Sequence, residues 1–338
     1  PRLNEKMARL PGFSDIHPLQ PVSTVKGALE VIAEVGRWLV ELTGMKAVAM
    51  SPKAGAHGEL AGMAAIKAAL RAHGQDKPVV LVPDSAHGTN PATAALIGMA
   101  VKPVPARPDG TVGVDDVKAA MDDRVGAIML TNPNTCGIFE PEVQEIAAAI
   151  HEAGGYFYCD GANFNAIVGK VRPGDFGVDA MHINLHKTFS TPHGGGGPGS
   201  GPVVFSAALA PYAPLPFVRK TGDHYALVEE EQAHAAGDAH GASFGRMAAF
   251  HGQMGMFVRA LSYILSHGAD GLRQVADDAV LNANYVLARL KDVMSAPFGD
   301  TGPCMHEALF DDSFLDGTGV TTLDVAKALI DEGYHPMT

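Results

Sequence analysis

His182-Ile-Asn-Leu-His186-Lys187-Thr-Phe-Ser-Thr-Pro-His193-Gly-Gly-Gly-Gly-Pro-Gly-Ser-Gly201 is the stretch of this sequence that says most about its fold. An apolar run over 178–185 predicts a strand, and a glycine-rich loop that no helix or strand interior would tolerate follows the His-Lys pair. Burial at a strand end is expected to lower the pKa of a lysine and make its amine a better nucleophile. The alternatives are a surface lysine before a flexible loop, and a structural histidine at 186.

From Lys46 onward, strand-like and helical segments alternate, which is typical of a parallel sheet with crossover helices. Strands are predicted at 47–50, 79–82, 101–104, 127–130, 156–159, 180–185 and 203–205, and helices at 25–42, 59–73, 91–99, 114–121 and 141–153. In such sheets ligands bind beyond the carboxyl ends of the strands, and the motifs described next all follow strands.

The motif Ala54-Gly-Ala-His-Gly-Glu59 leads from the first strand into a helix, whose free N–H groups and dipole favour a phosphate. A plain strand-to-helix turn explains these small residues about as well. After the second strand, His87 stands in Asp84-Ser-Ala-His-Gly-Thr-Asn-Pro91, where it would stack on an aromatic cofactor ring or simply cap a turn. Thr131-Asn-Pro-Asn-Thr135-Cys-Gly137 after the fourth strand is typical of a turn.

Asp160 ends an aromatic strand in Gly155-Tyr-Phe-Tyr-Cys-Asp160-Gly-Ala-Asn163. A buried carboxylate needs a cationic partner, and a protonated pyridine nitrogen would be one. The alternative is a helix N-cap. A phosphate seat, a ring-stacking histidine, a pyridinium partner and a Schiff-base lysine thus occur in this order, each at the end of a different strand, which points to pyridoxal phosphate.

The motifs also resemble those of a known family. Their order matches that in the pyridoxal-phosphate enzymes of the aspartate-aminotransferase fold (fold type I). Their sequences are similar to those of the P-proteins of the glycine cleavage system, glycine dehydrogenase (decarboxylating), and in particular to subunit 2 of the two-subunit form. The matching segments are Pro1-Arg-Leu-Asn-Glu-Lys-Met7, Ile16-His-Pro-Leu-Gln20, Ala54-Gly-Ala-His-Gly-Glu59, His87-Gly-Thr-Asn-Pro-Ala92, Asp160-Gly-Ala-Asn163, His186-Lys-Thr188 and Pro192-His-Gly-Gly-Gly-Gly-Pro-Gly-Ser-Gly-Pro202.

The resemblance implies that Lys187 forms the Schiff base, His87 stacks on the ring and Asp160 pairs with the ring nitrogen. It implies that the cofactor phosphate is received near Ala56 and His57. Further cofactor contacts are implied at Thr135, Ala162 and His186. The implied activity is decarboxylation of glycine and transfer of the aminomethyl group to the lipoyl arm of H-protein. Subunit 1 is the implied partner, in a heterotetramer, and the family extends beyond both ends of this chain.

Composition limits the other functions. A net charge of −12 without a Lys/Arg cluster argues against nucleic acid as a partner. Three separated cysteines, Cys136, Cys159 and Cys304, fit a reducing compartment and give no sign of a metal site. The absence of a charged leader and of an apolar run of membrane-spanning length predicts a cytoplasmic protein without a membrane contact.

Three regions are predicted: an N-terminal arm and helix (1–44, with 1–21 extended), a pyridoxal-phosphate-binding large domain (45–220), and a linker with a smaller, apparently incomplete α+β domain (221–338). In the last region we predict a solvated loop at 222–241 with His224, His234 and His240, helices at 243–266, 272–293 and 323–331, and a strand at 305–310.

The residues alone leave alternatives open. The chain would also fit another fold-type-I decarboxylase, an aldolase acting on β-hydroxy amino acids, or a non-catalytic partner subunit, although the last would not need Lys187. The glycine run at 194–201 either lets the backbone pass close to a cofactor or lipoyl arm, or is a turn that no side chain would fit.

Overall fold

A seven-stranded sheet forms the centre of the computed structural model, which describes residues 2–229 and 242–336. The strands are β1 (Ala47–Ala49), β2 (Val79–Pro83), β3 (Ala100–Val104), β4 (Val125–Thr131), β5 (Tyr156–Asp160), β6 (Ala180–His182) and β7 (Val203–Phe205). They lie in the order β1-β7-β6-β5-β4-β2-β3, and only β7 runs antiparallel to its neighbours β1 and β6. The predicted mainly parallel sheet is therefore confirmed.

Helices cover both faces of this sheet. They are α1 (Arg2–Ala8), α2 (Lys26–Thr43), α3 (Gly55–Ala72), α4 (Thr89–Leu96), α5 (Val114–Ala120), α6 (Val143–Glu152), the short α7 (Leu185–Thr188), α8 (Met254–Leu290) and α9 (Thr322–Asp331). Apolar residues of α3 and α4 share one buried cluster with one face of the sheet, and those of α2, α6 and α8 share another with the opposite face. Because both faces are buried, β4 is buried along its whole length.

The N-terminal region differs from the prediction of an extended arm over 1–21. Residues 2–8 form α1, which packs on α8 and is fastened there by Glu5, whose two carboxylate oxygens accept hydrogen bonds of 2.7 and 2.8 Å from Arg259. Apolar periodicity is weak in so short a segment, so the contact with a distant helix decides its conformation. The helix predicted at 25–42 is confirmed as α2, which ends at left-handed Gly44.

The C-terminal region is less separate from the large domain than the sequence predicted. Strands β8 (Phe217–Thr221) and β9 (His224–Val228) form a hairpin, so the predicted boundary at 220 falls inside a strand and the loop expected from 222 begins with one. His234 and His240 lie outside the described residues. The two long helices predicted both lie within α8 and meet at Gly268, whose backbone is not helical (φ +64°), but the first begins at Met254 rather than at 243. Buried residues of α8 from Phe257 to Ala276 belong to the core of the large domain.

The strand predicted at 305–310 is wrong, because these residues are irregular. Their backbone is held by isolated contacts rather than by a ladder, for example the Met305 N–H donating to the Gly137 carbonyl at 2.7 Å. This contact brings the segment to the edge of the large domain, beside the site described below. Among the described residues, no helix has the length and apolar character needed to cross a membrane.

Candidate active site

A cavity of about 500 Å³ opens at the carboxyl ends of β4, β5 and β6, beside the first turn of α3. Its lining residues are Ala54, Gly55, Ala56, Glu59, His87, Thr89, Thr131, Thr135, Asp160, Ala162, Asn163, His182, Asn184, His186, Lys187, His193 and Glu307. Every site residue that the sequence predicted lines this cavity except His57. The position agrees with the rule that open α/β sheets bind ligands beyond their strand ends.

Asp160 lies at the buried end of this cavity, with 3% of its surface exposed. Its Oδ1 accepts a hydrogen bond from the Ala162 N–H at 2.9 Å, and its Oδ2 accepts one from the Asn90 amide at 3.1 Å. Burial on its own would raise the pKa of Asp160, but the charge of His182 and these donors outweigh it and hold the pKa below its ordinary value. Asp160 caps the following turn and remains an ionised group in the cavity, so its role as an N-cap does not exclude the role predicted for it at a ring nitrogen.

His182 connects Asp160 to the sheet. Its Nε2 lies 3.4 Å from Asp160 Oδ1, and its Nδ1 lies 2.6 Å from the hydroxyl of fully buried Tyr158. Burial raises the pKa of Tyr158 well above its ordinary value, so the phenol keeps its proton. The His182 ring is thus held between the Tyr158 hydroxyl on one side and the Asp160 carboxylate on the other.

Glu59 is a second buried carboxylate in this wall, with 2% of its surface exposed. It accepts hydrogen bonds from Thr89 Oγ1 at 2.5 Å, Asn90 Nδ2 at 3.0 Å and Thr93 Oγ1 at 3.3 Å. Glu59, Asp160 and His182 each place one ligand-type atom within 4.8 Å of the others, a spacing that a metal ion would also accept. Because neighbouring donors already engage the two carboxylates, we interpret the group as a hydrogen-bonded network.

The first turn of α3 offers unused backbone N–H groups. Ala54, the residue before the helix, has no side chain that could cap it. The turn also packs very closely on the strand side, since a Cβ on Gly55 would lie 2.7 Å from Asn184 Oδ1 and one on Gly58 would lie 2.7 Å from the Gly201 carbonyl. These contacts hold the helix start against the cavity. His57 instead turns away, and its Nδ1 accepts from the Lys53 N–H at 3.2 Å.

Lys187 stands in α7 rather than at the end of a strand, because β6 stops at His182. Its side chain is exposed to the cavity, so the predicted burial of this lysine is wrong. Three residues later Ser190 has a left-handed backbone (φ +54°), which is rare for a residue with a side chain and is often found at functional sites. This conformation ends the helical turn and sends the chain into the glycine loop.

His186 and His193 lie together beside Lys187, with ring centroids 4.3 Å apart. Burial, together with the charges of His193 and Lys187, lowers the pKa of His186 to about 4, so this ring is neutral at physiological pH. Gly194, Gly195 and Gly196 have positive φ, which is typical of a turn, although a Cβ on any of them would meet no atom within 4 Å. Gly199 and Gly201 instead allow close packing. A Cβ on Gly199 would lie 2.7 Å from the His193 ring, and one on Gly201 would lie 2.2 Å from the Ala54 carbonyl oxygen.

His87 and Thr135 come from loops on the other strands. His87 is exposed and its Nδ1 lies 2.8 Å from Thr89 Oγ1, while the Thr135 hydroxyl donates to the Ser85 carbonyl. The latter bond joins the loops after β2 and β4. The turn interpretation of both loops is therefore compatible with a place in the cavity wall.

Five residues of this site were not predicted from the sequence: Glu59, His182, Tyr158, Asn90 and Asn184. One signal was available, because His182 and Asn184 alternate with apolar residues at the end of a strand-like run and so share one face. Glu59 stands among small residues near the start of α3, where a charged side chain on a buried face is unusual. Nothing in the sequence indicated that Tyr158 and Asn90 would meet these groups.

Comparisons with known proteins indicate the family and the fold of this chain. A family model described as aminotransferase class-V matches residues 57–197, and one described as glycine dehydrogenase, C-terminal domain, matches residues 275–338. Proteins described as probable glycine dehydrogenase (decarboxylating) subunit 2 from Alkaliphilus oremlandii and Thermotoga petrophila are 48% and 47% identical over the whole chain, which covers 67% and 69% of them. The chain belongs to the glycine dehydrogenase (decarboxylating) subunit 2 family. Its relative from Caulobacter vibrioides is 68% identical, and the chain spans 64% of that protein.

Solved structures confirm the fold class of this family member. Glycine decarboxylase (P-protein) of the glycine cleavage system, in an inhibitor-bound form, superposes with a TM-score of 0.79 at 24% identity, covering 100% of this chain and 75% of that one. Glutamate decarboxylase from Lactobacillus brevis superposes with a TM-score of 0.69 at 15% identity, covering 99% and 75%. At these identities the likeness concerns the fold alone, which is the predicted fold type I.

Proposed function

We propose that this chain decarboxylates glycine with pyridoxal phosphate as its cofactor. The observation that carries the proposal is that Lys187 and Asp160 line one cavity, the lysine exposed to it and the carboxylate buried with a lowered pKa. Membership in the glycine dehydrogenase (decarboxylating) subunit 2 family supports glycine as the substrate.

The residues present fit pyridoxal phosphate. A cavity of about 500 Å³ is within the range of cofactor sites. Two buried polar atoms in its wall, Thr131 Oγ1 and Asn184 Oδ1, have no hydrogen-bond partner among the described residues. Groups of this kind indicate a site that a polar ligand completes.

Each wall of the cavity suits one part of the cofactor. The free N–H groups of Gly55 and Ala56 would receive the phosphate at the positive end of the α3 dipole. Asp160 would accept a hydrogen bond from the protonated ring nitrogen, and His87 would lie against the ring face. Thr135, Ala162 and His186 would complete the enclosure.

The chemistry divides between cofactor and chain. When bound, pyridoxal phosphate supplies an electron sink for the pair that remains on the substrate carbon when CO₂ departs. Lys187 supplies the amine that holds the cofactor and yields its place to the substrate amine. Asp160 holds a proton on the ring nitrogen, and its buried hydrogen bonds to Ala162 and Asn90 keep the carboxylate ionised for this purpose.

The remaining parts of the reaction are proposed from the family. We assign transfer of the aminomethyl group to the lipoyl arm of H-protein, with reduction of its disulfide, and assembly with subunit 1 into a heterotetramer. A cytoplasmic location stays a prediction from the sequence.

The test is an absorption spectrum with and without glycine, followed by borohydride reduction and peptide mapping. We expect a visible band from lysine-bound cofactor and a reduced label on Lys187. The variant Lys187→Ala should lose the band, while its unfolding free energy stays within about 0.5 kcal/mol of the wild type because the side chain is exposed. Lys53→Ala, which removes an exposed lysine outside the cavity, is the matched control.

Activity is then measured as glycine–bicarbonate exchange with subunit 1 and lipoylated H-protein. Exchange with glycine, and none with glutamate or threonine, is the expected result. A label on another lysine would contradict the assignment of Lys187, and full exchange by this chain alone would contradict its dependence on subunit 1.

A further inference from the structure

Glu140 is a completely buried carboxylate at the end of the loop that follows β4. Its Oε1 accepts a hydrogen bond from Asn134 Nδ2 at 2.8 Å, and its Oε2 accepts one from the Val112 N–H at 2.9 Å. Its own N–H donates to Asn132 Oδ1 at 3.0 Å. Glu140 therefore ties the first part of this loop to its end and to the segment that precedes α5.

Asn134 carries this connection into the loop. The second proton of its amide goes to the Gly110 carbonyl at 2.9 Å, and its Oδ1 accepts from the backbone N–H groups of Cys136 and Ile138 at 2.9 and 3.1 Å. Two acceptors thus face Nδ2 and two donors face Oδ1, which fixes the orientation of the amide. The turn over 134–138 is folded around this one side chain.

The same loop forms part of the cavity wall. Thr131 ends β4 and Thr135 lies in the loop, and both line the cavity. Asn163 also lines it, and its Nδ2 donates to the carbonyls of Pro133 and Asn134 at 3.0 and 3.3 Å. The conformation of the loop therefore decides where these three polar side chains stand in the cavity.

We infer that Glu140 is a positioning residue of the cofactor site, whose negative charge holds the loop after β4, and with it Thr135 and Asn163, in the conformation that binds the cofactor. Affinity for pyridoxal phosphate then depends on the charge of a group outside the cavity. The inference goes beyond the proposed function and rests on it for the identity of the cofactor.

The charge matters because both oxygens of Glu140 face N–H donors. A neutral oxygen accepts a hydrogen bond more weakly than a carboxylate oxygen, so protonation weakens the bond from Asn134 or the one from Val112. The new O–H would also need an acceptor, whereas the group bonded to each oxygen here is a donor. The contacts therefore suit the ionised form.

Burial opposes this ionised form. It raises the pKa of Glu140 to about 7, although the two hydrogen bonds just described lower it. Of the charged groups nearby, Asp109 raises this pKa further and Arg107 lowers it. Burial and the charge of Glu140 raise the pKa of the Cys136 thiol, which therefore keeps its proton near neutral pH. Both charge states of Glu140 are thus populated near pH 7.

Glu142 is a matched control two residues along the chain. Its Oε2 accepts from the Val114 N–H at 2.8 Å, much as Glu140 accepts from Val112, but its side chain is 30% exposed and pairs with Arg107. The bonds from Val114 and Arg107 hold the pKa of Glu142 below its ordinary value, so it stays ionised near neutral pH. It is not among the described residues that line the cavity.

The first measurement is the dissociation constant of pyridoxal phosphate for the full chain, for Glu140→Gln and for Glu142→Gln. Glu140→Gln places an NH₂ group against one of the two donors whichever way its amide turns. At about pH 8, where Glu140 is mostly ionised, this variant should bind about tenfold more weakly than the wild type, the effect of one lost charge-assisted hydrogen bond. At about pH 5.5, where Glu140 is mostly protonated, the two should differ by less than about twofold.

Comparison at equal pH removes the titration of the cofactor itself, because it affects wild type and variant alike. Glu142→Gln should bind like the wild type at both pH values. A ratio of wild-type to Glu140→Gln affinity that is the same at both pH values would overturn the inference, since the charge of Glu140 would then have no part in cofactor binding.

NMR of the full chain without cofactor tests the link itself. The Val112 N–H and the Asn134 side-chain amide should shift together in one titration near pH 7, while the Val114 N–H, which is bonded to Glu142, should not. Signals of Val112 and Asn134 that stay fixed between about pH 6 and about pH 8 would also overturn the inference.

Two further outcomes stay distinguishable. If Glu140→Gln does not fold, the NMR titration of the wild type decides alone, because it needs no variant. Failure of the wild type to bind pyridoxal phosphate would instead refute the proposed function, and the NMR test of the link between Glu140 and the loop would be unaffected.

Discussion

Two histidine–aspartate pairs lie at opposite ends of the same part of the sheet. His151 Nε2 lies 2.7 Å from Asp179 Oδ2, just before β6 begins, and the histidine side chain is 39% exposed. His182 Nε2 lies 3.4 Å from Asp160 Oδ1, where β5 and β6 end, and both side chains are at most 4% exposed. The shorter pair faces solvent, and the longer pair lies in the cavity.

The difference between the pairs is one of surroundings rather than of residue type. Asp179 also accepts from the Phe157 N–H at 2.8 Å and the Ser206 hydroxyl at 3.0 Å, so it fastens β6 to its neighbours. Asp160 lies at the carboxyl edge of the sheet, where neighbouring strand ends leave a cavity for a ligand. We therefore expect substitutions in the first pair to affect stability alone, and substitutions in the second pair to affect activity as well.

The largest effect is expected from removing the charge of Asp160. Asp160→Asn should lower glycine–bicarbonate exchange about 100-fold or more, the equivalent of about 3 kcal/mol for a buried charge-assisted bond. Asp179→Asn, the matched change in the other pair, should lower the unfolding free energy and leave the exchange rate of the folded protein unchanged. Equal loss of exchange in both variants would remove the distinction between the pairs.

The free energy of unfolding should fall more when His182 is replaced than when His151 is replaced. His182→Phe leaves the buried Tyr158 hydroxyl without its partner and Asp160 without its neighbouring charge, which should cost about 3 kcal/mol. In the half-exposed pair, His151→Phe should cost less than about 1 kcal/mol. Urea unfolding of both variants measures the difference, and equal costs would contradict the burial argument.

His186 adds a pH dependence at the cavity. Its pKa of about 4 in the folded chain lies below the usual 6.5, chiefly because of burial, so the unfolded chain binds more protons between these values. The folded protein should therefore lose about 2 to 3 kcal/mol of stability as the pH falls from 6.5 toward 4. Unfolding titrations of His186→Gln should have a flatter slope in this window, and an unchanged slope would contradict the assignment.

The smallest effect, of opposite sign, belongs to His151. The hydrogen bond and charge of Asp179 raise its pKa above 6.5. Its contribution is therefore complete below pH 6.5 and is lost as the pH rises through the folded-state pKa. Because the side chain is partly exposed, we expect less than about 1 kcal/mol, measured as the difference in slope between wild type and His151→Gln. A loss of this stability as the pH falls, rather than as it rises, would contradict the raised pKa of His151.

The amino-acid sequence by itself determined the sheet, the crossover helices and seven of the residues that line the cavity. Each of these depends on a local pattern: alternation of apolar segments gives the strands, and polar motifs after strands such as those at His87, Asp160 and Lys187 mark the carboxyl edge. Where the local pattern was weak, as at α1 and at 305–310, the prediction was wrong because contacts between distant segments decide the conformation.

Only the tertiary structure decided the partners of those residues. Tyr158 and His182 are 24 residues apart, and Asn90 and Asp160 are 70 residues apart, yet each pair shares a hydrogen bond. The exposure of Lys187 and the neutral state of His186 likewise depend on which groups the fold brings beside them. Electrostatics and hydrogen bonding act over a few ångströms in space, and a sequence specifies such proximity only through the complete packing of the chain.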